Sequence, residues 1–243
     1  CIIDCGDEDR GVSFTQGEDT ASVLDGFTIK NGYVEVDDGA GIFIESASPL
    51  IRNCMIEENM SYAGSGAGIF CNDASPVITA CVIRLNEAPY SEWQRHTLGS
   101  NSFSGGIHCR GTSSPVITGC RIVENSSGSA SSPGTEMFNC GGVYCGDSAA
   151  PEFINCLIAD NMAGDYSPQG TLATGGILAD DASTPVFTYC TIAGNTAETV
   201  SGIACAGIYA DSNAAPEFYN CIIWGNGDPV IAGDPVIRYS DIQ

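Results

Sequence analysis

The side chains best suited to ligand binding are concentrated in residues 87–104, EAPYSEWQRHTLGSNSFS. This segment holds Trp93, one of the 2 tryptophans in the chain. Aromatic rings stack on sugar faces, and a guanidinium group donates hydrogen bonds to hydroxyls. We therefore predict ligand-binding roles for Tyr90, Trp93 and Arg95, and we group Tyr166, from a later segment between repeats, with them.

The same segment also contains groups that could transfer protons. His96, with Glu87 or Glu92, could serve as a general acid and base on a sugar substrate. In the alternative interpretation, Trp93 packs the segment onto the rest of the protein and the charged groups are simply solvated. We rank packing first, sugar binding second and catalysis third.

Two Asp-Asp pairs, Asp37-Asp38 and Asp180-Asp181, are the remaining acidic candidates. Paired carboxylates act in glycosidases, but Asp-Asp beside a strand is mostly turn chemistry. Asp180 and Asp181 are kept as candidate metal ligands, with calcium as the metal that an acidic oxygen site would take. His108 lies between two apolar residues, so alternation places it outward and predicts a surface residue.

The charge balance limits the partners of this chain. Of 243 residues, 8 are Lys or Arg and 30 are Asp or Glu, which gives a net charge of −22. Nucleic acid, anionic membranes and strongly anionic polymers need a basic surface, so we exclude them. No run of 18 apolar residues predicts a membrane span. Acidic turns that keep an extracellular protein soluble are the simpler explanation of the charge.

A repeated unit must position the candidate residues. Each copy has Gly-Ile or Gly-Val, then Pro, Cys five residues after Pro, and Asn five residues after Cys. Fixed self-similarity of this kind indicates a repeat architecture. The six copies begin at Gly41, Gly68, Gly106, Gly142, Gly176 and Gly207.

Within each unit, apolar residues alternate with polar ones over short β-branched runs bounded by Gly, Ser, Asn and Asp, which predicts strands. Pro begins a strand, where a missing N–H is tolerated. Short strands with local turns bury their apolar faces only when copies stack. We predict an all-β, right-handed parallel β-helix solenoid of about seven to eight rungs.

Stacking also assigns the repeated cysteines and asparagines. Side chains in one column lie about 4.8 Å apart and point the same way, whereas a disulfide needs Cβ atoms about 3.8 Å apart and turned toward each other. We therefore predict a core ladder of free cysteines and a turn ladder of hydrogen-bonded asparagines. The ladders are Cys54, Cys81, Cys120, Cys156, Cys190 and Cys221, and Asn59, Asn86, Asn125, Asn161, Asn195 and Asn226.

Insertions are confined to one corner. Gly to Asn spans 18 or 19 residues in every unit, whereas Asn to the next Gly spans 9 to 20. The insertions must therefore lie along one side of the rod, and such a side is often the binding face of a solenoid.

We expect a single domain over residues 1–243, divided into an incomplete first rung, a degenerate rung, six full repeats and a partial last rung. Neither terminal sequence predicts a polar cap, so we expect head-to-tail self-association or continuation in a longer polypeptide. The divisions are residues 1–21, 22–38, 39–226 and 227–243.

The Gly-Ile, Pro, Cys-x-Ile and Asn columns resemble those of right-handed parallel β-helix proteins of the pectate-lyase-like superfold. They are most similar to repeat-only surface or secreted proteins of environmental bacteria with "GGIxC…SPxIxNCxIxxN" units. That resemblance covers roughly residues 22–242 and implies the fold more than the function, because such folds host lyases, hydrolases, adhesins and inert rods. The Gly-His-Gly and Arg-Ile-Lys elements of polygalacturonase-like enzymes are missing from the sequence.

Our functional prediction is a non-catalytic extracellular or cell-surface scaffold that binds a glycan or a protein through the loops of one face. The first alternative is a polysaccharide lyase or glycoside hydrolase that acts through residues 87–104. The second is a purely structural rod or filament segment. We predict no cofactor other than calcium.

Overall fold

A computed structural model describes residues 1–91, 102–130, 137–165, 171–200 and 202–243. The secondary structure in these ranges consists of short strands, without a helix. All strand pairs are parallel, and each links residues of one rung to the equivalent residues of the next. The described part therefore contains no helix that could cross a membrane.

Three sheets form the wall of the coil, and each receives one strand from each turn of the chain. Sheet A contains Ile2–Asp4, Thr28–Lys30, Met55–Glu57, Val82–Arg84, Arg121–Val123, Leu157–Ala159, Thr191–Ala193, Ile222–Trp224 and Asp241–Ile242. Sheet B contains Val12–Phe14, Ile42–Glu45, Ile69–Asn72, Ile107–Arg110, Val143–Cys145, Ile177–Ala179, Ile208–Ala210 and Ile231–Ala232. Sheet C contains Val23–Asp25, Leu50–Arg52, Val77–Thr79, Val116–Thr118, Glu152–Ile154, Val186–Thr188, Glu217–Tyr219 and Val236–Arg238. This arrangement confirms the all-β parallel solenoid.

The core lies inside the coil and consists of columns of identical or similar side chains. In sheet A the central residue of each strand is an isoleucine from Ile29 to Ile223, and these side chains are fully buried. In sheet C three phenylalanines stack at 4.7 Å between ring centroids: Phe153, Phe187 and Phe218. Burying one such side chain contributes roughly 1.5–3 kcal/mol, so the repeated apolar positions account for the coil.

The repeated cysteines line the same interior. Cys81, Cys120 and Cys190 are each 1% exposed, and all six members of the column are buried without a disulfide. The thiols point along the coil, and Cys120 Sγ lies 3.4 Å from the N–H of Cys81 one rung away. In the structure the column therefore acts as packing material, with weak S–H hydrogen bonds to strand carbonyls.

Each repeat starts with a glycine for a steric reason. A Cβ placed on Gly142 would stand 2.4 Å from the carbonyl oxygen of Gly176 and 3.2 Å from the amide nitrogen of Asn161. The backbones of neighbouring rungs approach closely here, because each glycine also donates a hydrogen bond to the rung beyond it. Only a residue without a side chain fits.

Where the structure describes them, the insertions carry strands of two further parallel sheets, instead of the loops that the sequence predicts. Sheet D contains Tyr33–Val34, Met60–Ser61, Glu87–Ser91, Ser126–Ala130, Met162–Asp165 and Thr196–Thr199. Sheet E contains Ser102–Ser104, Phe138–Cys140, Thr171–Thr174 and Gly202–Cys205. Both sheets stand at the corner between sheets A and B, so the predicted single corner for insertions is correct.

Candidate binding site on the insertion face

In each of four successive rungs the chain leaves the coil through a strand of sheet D and returns through a strand of sheet E. We call the two sheets together the insertion layer. It packs on the outer surface of sheet B, where Tyr144 and Leu178 form one cluster with Cys140 and Leu172 of sheet E. The coil therefore has a second, outer core on this side.

The asparagine ladder fixes the base of the insertion layer, as predicted. Asn125 Nδ2 donates to Asn161 Oδ1 at 3.0 Å, and Asn125 Oδ1 accepts from Asn86 Nδ2 at 2.9 Å. Asn125 also donates to the carbonyl of Ile83 and accepts from the N–H of Asn86. These side chains are buried, so every amide is paired in a fixed orientation. The point at which the chain leaves sheet A is consequently the same in each rung.

An aromatic column runs along the outer surface of sheet B beneath the insertion layer. Phe43 and Phe70 stack with ring centroids 5.4 Å apart, Phe70 and His108 at 5.3 Å, and His108 and Tyr144 at 4.3 Å. In-register strands place these rings directly above one another. The column is the surface on which the insertion layer packs.

His108 is fully buried, and the prediction that it is a surface residue was wrong. Its outward direction is as expected, but the backbone of Gly66 and the residues of sheet E cover it. Alternation along a strand predicts on which side of the sheet a side chain lies, but not whether it is exposed to solvent. Here the insertion layer covers the side on which His108 lies. Burial, together with the nearby Arg110 charge, holds the pKa of His108 well below its usual value.

Only one ring nitrogen of His108 has a hydrogen-bond partner among the described residues. Ser104 Oγ accepts from the N–H of Gly66 at 3.0 Å and lies 3.1 Å from His108 Nδ1. Either atom of this pair can be the donor, according to the tautomer of the ring. Nε2 has no hydrogen-bond partner among the described residues. The ring is neutral, fixed and shielded from solvent.

The candidate metal ligands Asp180 and Asp181 accept hydrogen bonds from different partners. The hydroxyl of Tyr144 donates to Asp180 Oδ2 at 3.1 Å, and burial raises the pKa of Asp180. Asp181 instead accepts from the N–H of Asp147 at 3.4 Å. Within the described ranges no three His, Cys, Asp or Glu side chains are arranged to hold a metal ion.

Asp181 and Asp147 line a shallow polar depression with Ser148, Ala182 and Asn213 at the corner between sheets B and C. Asp147 and Asp181 adopt left-handed backbone conformations, φ 55° and 52°. Their carboxylates accept backbone N–H groups from neighbouring rungs. This acidic column therefore stabilises the turns.

Two arginines and two aspartates flank the start of the aromatic column. Arg10 lies 4.5 Å from the ring centroid of Phe43 and 2.7 Å from Asp37 Oδ2. Arg110 lies 5.0 Å from the centroid of Phe70 and 4.0 Å from Asp38. Burial raises the pKa of Asp38, although the N–H of Ser65 and Arg110 oppose the rise. Both guanidinium groups are thus engaged by rings and carboxylates of the protein.

The structure tests few of the residues predicted from the 87–104 segment. Glu87 is exposed at the first position of its strand in sheet D, next to Met60 and Ser126. Tyr90 belongs to the same strand, and its side chain lies outside the described residues. The other predicted residues, Glu92, Trp93, Arg95, His96 and Tyr166, also lie outside the described residues.

The fold and the repeat agree with comparison against known families. The sequence model of the right-handed β-helix region matches residues 9–240, nearly the whole chain. The chain therefore belongs to the right-handed β-helix family. A search of curated proteins found no match, and a search of solved structures found none.

Proposed function

We propose that this chain is a non-catalytic β-helix scaffold that binds an extended glycan along its insertion layer. The observation that carries the proposal is that this layer is a built surface with its own packed core, based on a ladder of paired amides. A strand-based layer presents equivalent positions at one rung spacing, about 4.8 Å, which suits a polymer of repeating units. A protein partner that lies along the same layer is the second candidate.

Several charged and titratable groups described near the insertion layer already have partners within the protein. His108 is buried in an aromatic stack, and Asp180 accepts the hydroxyl of Tyr144. Arg10 and Arg110 are paired with aspartates. These groups are therefore engaged in the structure, whereas Glu92 and His96 of the enzymatic alternative lie outside the described residues. The net charge of −22 favours a neutral glycan.

Our proposal places the protein outside the cell or on its surface, where glycans of this kind occur. Eleven of the thirteen cysteines are buried, so their thiols are shielded from an oxidising environment. Calcium, if it takes part, would act at exposed carboxylates on the turns, and binding assays should be run with calcium and with a chelator.

The test is glycan binding by the purified chain, with Trp93→Ala as the variant and Trp224→Ala as the matched control. Trp224 is the second tryptophan, 49% exposed at the end of a strand of sheet A and therefore not part of the 87–104 segment. We expect Trp93→Ala to weaken binding to the glycan that the wild type selects, and Trp224→Ala to leave it unchanged. Equal affinity of both variants for that glycan would remove the 87–104 segment from the site.

A parallel assay addresses the enzymatic alternative. We expect no unsaturated product, measured by absorbance at 235 nm, and no new reducing ends when the chain is incubated with pectin, alginate or polygalacturonate. Steady product formation that is lost in Glu92→Gln or His96→Ala would replace the proposal by a lyase or hydrolase. For the rod alternative and for head-to-tail self-association, light scattering should show a concentration-dependent mass in the absence of any glycan.

A further inference from the structure

The corner between sheets C and A carries a column of residues in the left-handed backbone region. Except in the last rung, the backbone N–H of each member donates a hydrogen bond to the carbonyl oxygen of the last residue of a sheet C strand in the next rung. Asn155 donates in this way to Thr188, and Tyr189 donates to Tyr219. The φ values lie between 52° and 74°. The members are Gly26, Asn53, Ala80, Gly119, Asn155, Tyr189, Asn220 and Tyr239.

Side chains in this column point into open solvent. A Cβ built on Gly26 or on Gly119 meets nothing within 4 Å. Tyr189 is 62% exposed and Tyr239 is 85% exposed. Neither ring therefore contributes much to packing, and the exposure is a property of the corner itself.

Two tyrosines are unexpected at such a corner. Glycine and asparagine adopt the left-handed conformation readily, whereas a bulky residue there is strained. The other members of the column, mostly Gly and Asn, show that the turn needs no ring. The left-handed backbone alone is common at the turns of this coil, as at Glu58 and Leu85, so the distinguishing feature here is a large exposed ring that the turn does not require. Tyr189 and Tyr239 carry such rings, two rungs apart on one line.

A third tyrosine completes the patch. Tyr219 lies at the end of its strand in sheet C, between Thr188 of one rung and Arg238 of the next. Its hydroxyl donates to Glu217 Oε2 at 2.8 Å, which holds the side chain along the sheet surface. Asn220 stands in the corner column between the two exposed rings. The patch thus combines aromatic faces with hydroxyl, amide and guanidinium groups, the chemistry that binds sugars.

We propose that Tyr189, Tyr219 and Tyr239 form a second binding site, distinct from the insertion layer, for a neutral polysaccharide in an extended conformation. Two rung spacings separate Tyr189 from Tyr239, about 9.6 Å along the coil axis, so their rings can stack on sugar units of one chain that runs parallel to the axis. Asn220 and Arg238 donate hydrogen bonds to its hydroxyls. The net charge of −22 disfavours a polyanionic chain at this site.

The site is tested by replacing both corner tyrosines with the residue that the same column uses elsewhere. Asparagine occurs at three positions of the column, so Tyr189→Asn with Tyr239→Asn should fold without strain. The matched control is Ala80→Asn, in the same column but several rungs away. The probes are neutral β-linked hexasaccharides of glucose, xylose, mannose and N-acetylglucosamine, with hexagalacturonate as the charged comparison, measured by titration calorimetry.

We expect the wild type to bind at least one neutral hexasaccharide more tightly than hexagalacturonate. The double variant should lose at least tenfold in affinity for it, while Ala80→Asn keeps the wild-type affinity. Binding of no neutral probe, or equal affinity of the wild type and the double variant, would overturn the proposal. If the double variant binds normally and Trp93→Ala does not, glycans bind at the insertion layer alone. The two sites are thereby tested separately.

Discussion

The buried histidine should make the stability of this protein sensitive to acid. His108 stacks at 4.3 Å on Tyr144 and is neutral, with its pKa held well below the usual value by burial and by Arg110. In the unfolded chain the same imidazole titrates near its ordinary pKa of about 6.5. Folding must therefore release that proton below pH 6.5. His108 thus destabilises the fold progressively as the pH falls from about 6.5 toward the depressed folded pKa.

The size of the effect follows from proton linkage. While the folded imidazole stays neutral, each pH unit below about 6.5 lowers the free energy of unfolding by about 1.4 kcal/mol. Asp38 and Asp180, which face the same layer, have raised pKa values through burial. Their contribution has the opposite sign, because a carboxyl with a raised pKa is more easily accommodated when acid protonates it. A comparison with a histidine-free variant cancels that part.

The variant is His108→Phe, which continues the aromatic column of Phe43 and Phe70 without a titratable group. Urea unfolding of both proteins, followed by circular dichroism from pH 8 to pH 4.5, should show a steeper loss in the wild type, by about 1.4 kcal/mol for each pH unit below about 6.5 over which the buried ring stays neutral. Hydrogen exchange of the amides of Ser104 and His108 should show whether the insertion layer opens first. Parallel pH curves for the two proteins would show that His108 is not buried and neutral, and would refute the reasoning.

Other consequences of the structure can be measured on single variants. Asn125→Ala removes four hydrogen bonds made by a buried side-chain amide and should lower the free energy of unfolding by about 3 kcal/mol or more, by urea titration. Cys120→Asp should prevent folding, because an unpaired buried charge costs several kcal/mol. The wild-type thiols should all react with an alkylating agent in denaturant without reductant. Detection of an inter-rung disulfide by mass spectrometry would contradict the cysteine ladder. Gly142→Ala brings a Cβ to 2.4 Å from a carbonyl oxygen and should broaden or abolish the unfolding transition. Tyr189→Asn should raise stability by about 1 kcal/mol, since it relieves a left-handed bulky residue that is 62% exposed, and a fall in melting temperature would argue that the ring packs on the coil.

The coil itself could be derived from the sequence because every stabilising feature of it is local and repeated. Period-two alternation determines which side chains face inward, and equal spacing brings like residues into register from rung to rung. The asparagine ladder followed from the same spacing, and the structure pairs Asn125 with Asn86 and Asn161 as expected. A register error is strongly disfavoured in such a stack, since a slip of one residue would turn every side chain of a strand to the other face.

The insertion layer shows where sequence patterning ends. Its strands are rich in Gly, Ser, Ala and Thr, without the apolar alternation that marks the coil, so they were interpreted as loops. A signal was nevertheless present: the outward residues Phe43, Phe70, His108, Tyr144 and Leu178 form an apolar column on sheet B. Such a column predicts a covering layer, because solvent-facing positions of a strand are normally polar.

The tertiary structure alone decided which of the outward-facing side chains are exposed to solvent. Alternation places His108 and Tyr219 equally on the outer surface of their sheets, yet one is fully buried and the other remains accessible. The difference arises because the inserted strands of neighbouring rungs fold over sheet B, whereas none of the described strands covers the outer face of sheet C. Sequence by itself determined the coil, its register and its ladders, since these depend on contacts between equivalent residues. Burial of the outer columns depends on contacts between unlike segments, and only the folded chain brings those together.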